Sequence, residues 1–272
     1  MLRIVRRKDV NDVAELDRHK ARKIAADPLM KSSAVLSGVF HRRVFIVESE
    51  ADSMFYSALL DLPSVHEGQQ PDVLFVHSNG NDRMGTLVEA LANLKVWVDV
   101  IADMDLLRID YRLKSLVQAF GGDWSEVEPL ANSIAQAIER NKSSPEAQEV
   151  VRSIEDILRR APLTGAFPKE SRNAIKKVLT ESASCWKAIK RHGRSQLPGE
   201  QIEKYIKMEQ ILSGIGLWLA PVGELEGFCK SIGGHGSKWV QQVVNQRDLA
   251  GDGELAEARE FVKGVWSRPP PQ

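Results

Sequence analysis

Residues 96–105 read Val-Trp-Val-Asp-Val-Ile-Ala-Asp-Met-Asp, a run of seven mostly apolar residues followed at once by Asp-x-Asp. Val96 to Ala102 is too short for a helix and nearly continuous in hydrophobicity. It predicts a strand buried on both faces, the pattern of a parallel sheet. Two shorter runs of the same kind precede it, Val44 to Val47 and Val73 to Val76. Helix-like stretches, Ala51 to Leu60 and Asp82 to Leu94, separate the three, so the order is β-α-β-α-β. Such alternation forms a right-handed α/β unit, with ligands expected beyond the carboxyl ends of the strands.

Beyond Ile109 the character changes. As far as Ser213, Ala, Leu, Ile, Glu, Lys, Arg and Gln dominate with apolar spacing of three to four, and breaks fall at Gly121-Gly122, Ser143 to Pro145, Pro162 to Pro168 and Gly193 to Pro198. Three to five helices are predicted there. A fourth strand, Gly216 to Ala220, follows, and helices then run to about Trp266. The helical block therefore reads as an insertion between strands of one sheet. The expected organisation is a basic amino-terminal segment over 1–37, an α/β unit over 38–110 and 214–267, an inserted all-helical subdomain over 111–213, and a disordered Pro-rich tail over 268–272.

A chain of 272 residues with 43% hydrophobic and 27% charged residues affords a real core, which excludes disordered, collagen-like and disulfide-stapled classes. Its 37 basic and 37 acidic residues cancel, which argues against a protein that simply coats a polyanion. The distribution says more. Residues 44–110 hold twelve acids against Arg83, Lys95 and Arg108, a balance of −9, whereas 169–194 hold eight bases against Glu170 and Glu181, a balance of +6. The two cysteines, Cys185 and Cys229, have no zinc-site spacing and read as small buried hydrophobes. No apolar run approaches the ~20 residues of a membrane span, and no apolar stretch follows the basic start. The expectation is a soluble cytoplasmic protein.

The acids recur at strand ends. Glu48 ends the first strand, and Asp52 falls in the first turn of the next helix; Asp52 or Ser49 as a simple helix cap is the competing reading. Asp103 and Asp105 follow the third strand, and residues two apart in extended chain project to the same side. Their repulsion is relieved by a cation, and hard oxygen ligands suit Mg²⁺ or Mn²⁺. Glu224 and Glu226 follow the fourth strand, where the alternative is a helix start with acids at its positive end. Ser78-Asn79-Gly80 follows the second. Parallel strands bring all of these to one rim. His235 reads as a loop histidine rather than a ligand of a hard metal.

At this point the residues carry a resemblance. Val47-Glu-Ser-Glu-Ala-Asp-Ser-Met-Phe-Tyr56, Ser78-Asn-Gly-Asn-Asp-Arg-Met84 and Val100-Ile-Ala-Asp-Met-Asp-Leu-Leu107 resemble the TOPRIM fold of primases, topoisomerases and nucleases, whose signature is a strand-end Glu followed later by Asp-x-Asp. Gly216-Leu-Trp-Leu-Ala-Pro-Val-Gly-Glu-Leu-Glu-Gly-Phe228 and His235-Gly-Ser-Lys-Trp-Val240 resemble the carboxyl-terminal half of OLD-family nucleases, in which a helical insertion divides the TOPRIM elements. The similarity spans about residues 33 to 265. Ser49 stands where the family usually has Gly. The resemblance implies a TOPRIM-like parallel sheet flanked by helices, and an enzyme that hydrolyses DNA phosphodiesters with two divalent ions, Mg²⁺ or Mn²⁺.

In that reading Glu48, Asp52 and one or both of Asp103 and Asp105 hold one ion, and the Asp-x-Asp with Glu224, with or without Glu226, holds the second. Glu48 and Asp103 are thereby essential to catalysis, and Lys238 faces the charge developing on the phosphate; spacing alone makes Lys238 a solvated lysine. Lys176, Lys177, Lys187 and Lys190 of the basic stretch are expected to contact the DNA backbone, the alternative being a solvated helix face. Arg83 contacts the scissile phosphate or pairs near Asp82. The family's TOPRIM region follows an ATPase domain, and this sequence has no G-x-x-x-x-G-K-[ST]. It is either the nuclease part of a larger ATPase-nuclease, which the basic start favours, or a stand-alone nuclease subunit. Two other classes stay open: a receiver-like or phosphoryl-transfer domain that binds one Mg²⁺, and a DNA-binding subunit without catalysis. A primase is disfavoured by the missing zinc cysteines.

Overall fold

A computed structural model describes residues 2–7, 10–15, 18–19, 22, 26, 35–68, 71–78, 80–108, 110–140, 147–162, 164–182 and 186–271. The expected buried runs become strands. β1 (Leu2–Arg7) and β2 (Val10–Glu15) form an antiparallel hairpin, while β3 (Arg43–Val47), β4 (Val73–His77), β5 (Trp97–Ala102) and β6 (Leu217–Leu219) form a second sheet. That sheet is parallel throughout, in the order β4-β3-β5-β6. The chain leaves β3 for one neighbour and returns to its other side, so strand order switches at β3, the place where open α/β sheets accept ligands.

Alternation along the strands explains the two layers around the sheet. Val44, Ile46, Val98, Val100, Leu217 and Leu219 point to one face, and Phe45, Val47 and Ile101 to the other. On the second face lie α1 (Glu50–Leu60), α2 (Pro63–His66), α10 (Gly236–Gln246) and α11 (Ala256–Ser267), with Phe55, Trp239 and Val262 buried. The first face is covered by α3 (Met84–Ala92) and by part of the helical block.

That block, between β5 and β6, contains six α-helices among the described residues, where three to five were expected. They are α4 (Asp110–Ala119), α5 (Trp124–Arg140), α6 (Ala147–Arg160), α7 (Lys169–Ser182), α8 (Trp186–His192) and α9 (Gly199–Ile215). The additional division is between α7, which ends at Ser182, and α8, which starts at Trp186, with the residues between them outside the described ones; the break expected from Gly193 falls where that glycine, at positive φ, ends α8. The insertion is also no satellite of the sheet. Val127, Ala131 and Ile134 of α5 and Tyr205, Met208 and Leu212 of α9 share one buried cluster with β3, β5 and β6. Among the described residues no helix is long and apolar enough to cross a membrane.

Long basic side chains tie both ends of the chain to the core, and one expectation needs correction. Within the basic start, Arg3 of the hairpin donates to the carbonyls of Val39 at 3.0 Å and Lys95 at 2.6 Å. The tail does not begin at 268, because Arg268 packs into the sheet and donates to Asp99 Oδ1 at 2.7 Å. Apolar patterning cannot signal either contact, since a long basic side chain carries both. Cys229 is buried, as read; Cys185 and Asn79 lie outside the described residues.

Candidate metal centre

Backbone bonds assemble the rim strand by strand. Ser49 and Asp52 cap α1 in a reciprocal pair: Asp52 N–H donates to Ser49 Oγ at 3.3 Å, while Ser49 N–H and Oγ–H each donate to Asp52 Oδ2 at 2.8 Å. Such a capping box is worth about 1 kcal/mol and fixes the turn carrying Glu48. Gly80 N–H donates to the Glu48 carbonyl at 3.3 Å, and Ser78 spends its hydroxyl on the Val47 carbonyl at 3.1 Å. Next door, Ala220 N–H donates to Ala102 at 2.9 Å and Met104 N–H to Gly223 at 2.9 Å, which sets Asp103 beside the loop that bears Glu224.

Two groups of possible ligands result among the described residues. Glu48, Asp103 and Asp105 form one, and Glu224, Glu226 and His235 the other, each with its ligand atoms within 4.8 Å of one another. An open cleft of about 240 Å³ joins them, lined by Glu48, Asp52, Asp103, Lys190, Glu224 and Glu226 among others. A larger hollow of about 610 Å³ opens at the opposite ends of the strands beside Trp97 and Trp266. Its Arg43 and Arg268 are paired with Asp99, and the two carboxylate groups lie at the smaller cleft.

Glu48 Oε2 and Asp105 Oδ1 are buried without a hydrogen-bond partner. Burial, then the charges of Asp105 and Asp52, pushes the Glu48 carboxyl up to about 7. Burial and then Glu48, Asp52 and Asp105 hold Asp103 well above the ordinary aspartate range. Glu224 is raised by burial and by Glu226. Desolvated carboxylates that oppose one another's ionisation, with orphaned oxygens, fit a hard divalent cation better than solvent.

Asp52 also lines the cleft and is raised by burial, against which its Ser49 bonds pull; its Oδ2 serves the cap, and it is in neither of the two groups of possible ligands. His235 stands 3.4 Å from Glu226 Oε1, and Gly236 N–H donates to the same oxygen at 2.7 Å. A histidine in this group was not anticipated from the sequence, where nothing but its nearness to Glu226 along the chain marked it.

The basic residues separate. Lys190 Nζ lies among the acids, 3.9 Å from Asp103, 3.7 Å from Asp105 and 3.9 Å from Glu224. Burial works against its charge, but Asp103, Asp105, Glu224 and Glu48 outweigh it and lift the pKa. Lys187 on the same helix is half-buried, and Lys176 is exposed on α7; the Lys177 side chain lies outside the described residues. Lys238 is exposed in the first turn of α10 and does not line the cleft. Arg83 is exposed before α3, and Asp82 pairs with Arg112 at 2.5 Å and accepts from the Tyr111 hydroxyl at 3.3 Å.

Interlocking glycines bring Lys190 to the rim. A Cβ on Gly223, at φ +100°, would overlap the Ile189 and Lys190 carbonyls, and one on Gly193, at φ +62°, would overlap Pro221 and Val222. Arg194 N–H donates to Pro221 at 2.9 Å across the same junction. The inserted helices thus meet the Glu224 loop backbone to backbone, a contact open only to glycine.

No protein-family model matches the sequence, and no curated protein matches it. Two solved structures of the carboxyl-terminal region of the Xanthomonas campestris pv. campestris OLD protein are similar. One is 15% identical, with 84% of this chain and 95% of that chain covered, and the other 14%, with 84% and 97%; both have a TM-score of 0.33. A likeness at this level bears on neither fold nor chemistry, which rest on the strands and carboxylates above.

Proposed function

We propose that this chain is a divalent-metal-dependent nuclease that hydrolyses DNA phosphodiester bonds at the carboxyl rim of a TOPRIM-like sheet. The observation that carries the reading is the convergence, at the switch in strand order, of Glu48, Asp103 and Asp105 with Glu224 and Glu226, two of whose buried oxygens lack any partner. The sequence resemblance to OLD-family nucleases supports DNA as the substrate.

Glu48, Asp103 and Asp105 would hold one Mg²⁺ or Mn²⁺, and Glu224 and Glu226 the other, with Asp52 fixing the Glu48 turn from behind. Two such ions lower the pKa of water toward neutrality and stabilise the departing oxygen. The carboxylates then hold charge and orient; they need not themselves move protons. Lys238, exposed beside the His235-Gly236 edge of the cleft, would face a phosphate. Lys176 and Lys187 would bind backbone phosphates without reading sequence. In this proposal the chain serves an ATPase domain of a larger assembly.

The test is incubation of the purified chain with supercoiled plasmid and Mg²⁺ or Mn²⁺, alongside an EDTA control. Metal-dependent loss of the supercoiled form is expected. Binding without any cleavage would leave a DNA-binding subunit instead.

A further inference from the structure

Among the described residues Lys190 is the one lysine or arginine that lines the cleft, and it arrives from the insertion rather than from the sheet. We propose that Lys190 is an internal counter-ion: its ammonium bridges the two carboxylate groups in the metal-free protein and is displaced outward when divalent metal binds. The inference rests on the metal-centre reading above and adds to it an exchange of one cation for another.

Distance supports displacement. Nζ is 3.7 to 3.9 Å from Asp103, Asp105 and Glu224, close enough for charge attraction but too far for a directed hydrogen bond. An ammonium is a compact point charge on a flexible stem, so nothing holds it in one geometry. The backbone beneath it is fixed by Gly223 against the Lys190 carbonyl, and only the side chain needs to turn. A way out exists, because the side chain is 43% exposed.

Charge makes the exchange favourable. One ammonium faces three carboxylates contributed by two strand ends, and it leaves Glu48 Oε2 and Asp105 Oδ1 unpartnered. A divalent ion satisfies more of that charge and supplies inner-sphere bonds that an ammonium cannot. Once outside, the side chain adds a positive charge at the cleft mouth, where a phosphate would enter. By linkage, removing the lysine charge must tighten metal binding, since the ion then displaces no competitor.

Calorimetric titration of the full chain with Mn²⁺ tests this in the wild type, Lys190→Gln and Lys190→Arg. Lys190→Gln should bind Mn²⁺ ~10-fold tighter or more, and Lys190→Arg within roughly 3-fold of wild type. In wild-type protein with ¹³C-methylated lysines, the resonance missing from Lys190→Arg should move to the position of a solvated lysine on saturation with Mg²⁺; this measurement decides the matter if Lys190→Gln does not fold. Unchanged or weaker Mn²⁺ affinity in folded Lys190→Gln, or an unmoved resonance, would overturn the counter-ion role and leave the metal centre standing. Absence of Mn²⁺ binding in all three proteins would remove the metal centre itself, and this inference with it.

Discussion

The Asp99 carboxylate meets the Arg43 guanidinium at 2.7 Å inside the parallel sheet, where neither side chain has appreciable exposure. Its other oxygen accepts from Arg268 Nε at 2.7 Å and Trp218 Nε1 at 3.0 Å, while Arg43 also donates to the Val265 and Trp266 carbonyls. One carboxylate thus ties β3, β5 and β6 to the end of α11. Burial pulls the Arg43 pKa down and Asp99 resists that pull. Asp99→Ala would strand two guanidinium groups, so chemical denaturation should show a loss of roughly 3–5 kcal/mol. The pair lies at the opposite strand ends from the rim, and Mn²⁺ affinity of the folded variant should stay within ~2-fold of wild type. A loss under about 1 kcal/mol would mean that solvent reaches this network.

Gly223→Ala should act on the site through the backbone. The new methyl forces Lys190 and the Glu224 loop apart and strains a positive φ, for about 2–4 kcal/mol together. The expected signature is weakened Mn²⁺ binding in a protein that still folds. Gly233→Ala, with open space around its Cβ position, is the control and should leave both measurements unchanged.

Stability of the metal-free protein should fall as pH rises through neutrality. Glu48 keeps its proton up to about 7 in the folded chain, whereas the unfolded chain releases it in the ordinary glutamate range. The folded state therefore binds more protons between those two values. Its advantage is complete below the ordinary range and lost as pH rises through about 7, with Asp103 shifted in the same direction. Glu48 contributes at most ~3 kcal/mol. Melting curves from about pH 5 to about pH 8 should show a falling Tm that Glu48→Gln flattens and saturating Mg²⁺ abolishes. A Tm that rises over this interval would contradict the burial of the acid cluster.

Lys238→Ala separates two roles. A side chain acting on the developing phosphate charge should cost roughly 100-fold in single-turnover cleavage with little change in DNA affinity. Values within a few-fold of wild type would return Lys238 to the solvent. Reversing charge at Lys176 and Lys187 should instead weaken DNA binding and flatten its salt dependence by about one unit of slope per lost phosphate contact.

Much of the sheet was legible because its strands are short and apolar, with β3 and β5 buried on both faces and the edge strand β4 only partly, and because Glu48 and Asp103 sit immediately past strand ends with Asp105 close behind, while Glu224 and Glu226 follow β6 within a short loop. Asp52 was legible only as a pair of readings, and the structure realises the capping box while leaving the residue against the cleft. Lys190 was not legible. It lies within a basic stretch that reads as a solvated or phosphate-binding face, and its place among the acids depends on two distant glycines, Gly193 and Gly223, that let one backbone touch another. Arg268 was hidden for a similar reason: a Pro-rich end suggests fraying, and the buried Asp99 that captures it is far away in sequence.

The most direct test of the metal centre is an anomalous difference map from crystals of the chain soaked in Mn²⁺. Two peaks are expected at the strand ends, one ligated by Glu48, Asp103 and Asp105 and the other by Glu224 and Glu226, and both should vanish in Glu48→Gln/Glu224→Gln crystals soaked in the same way. A map with no peak at this rim, or with peaks only elsewhere on the molecule, would contradict the account.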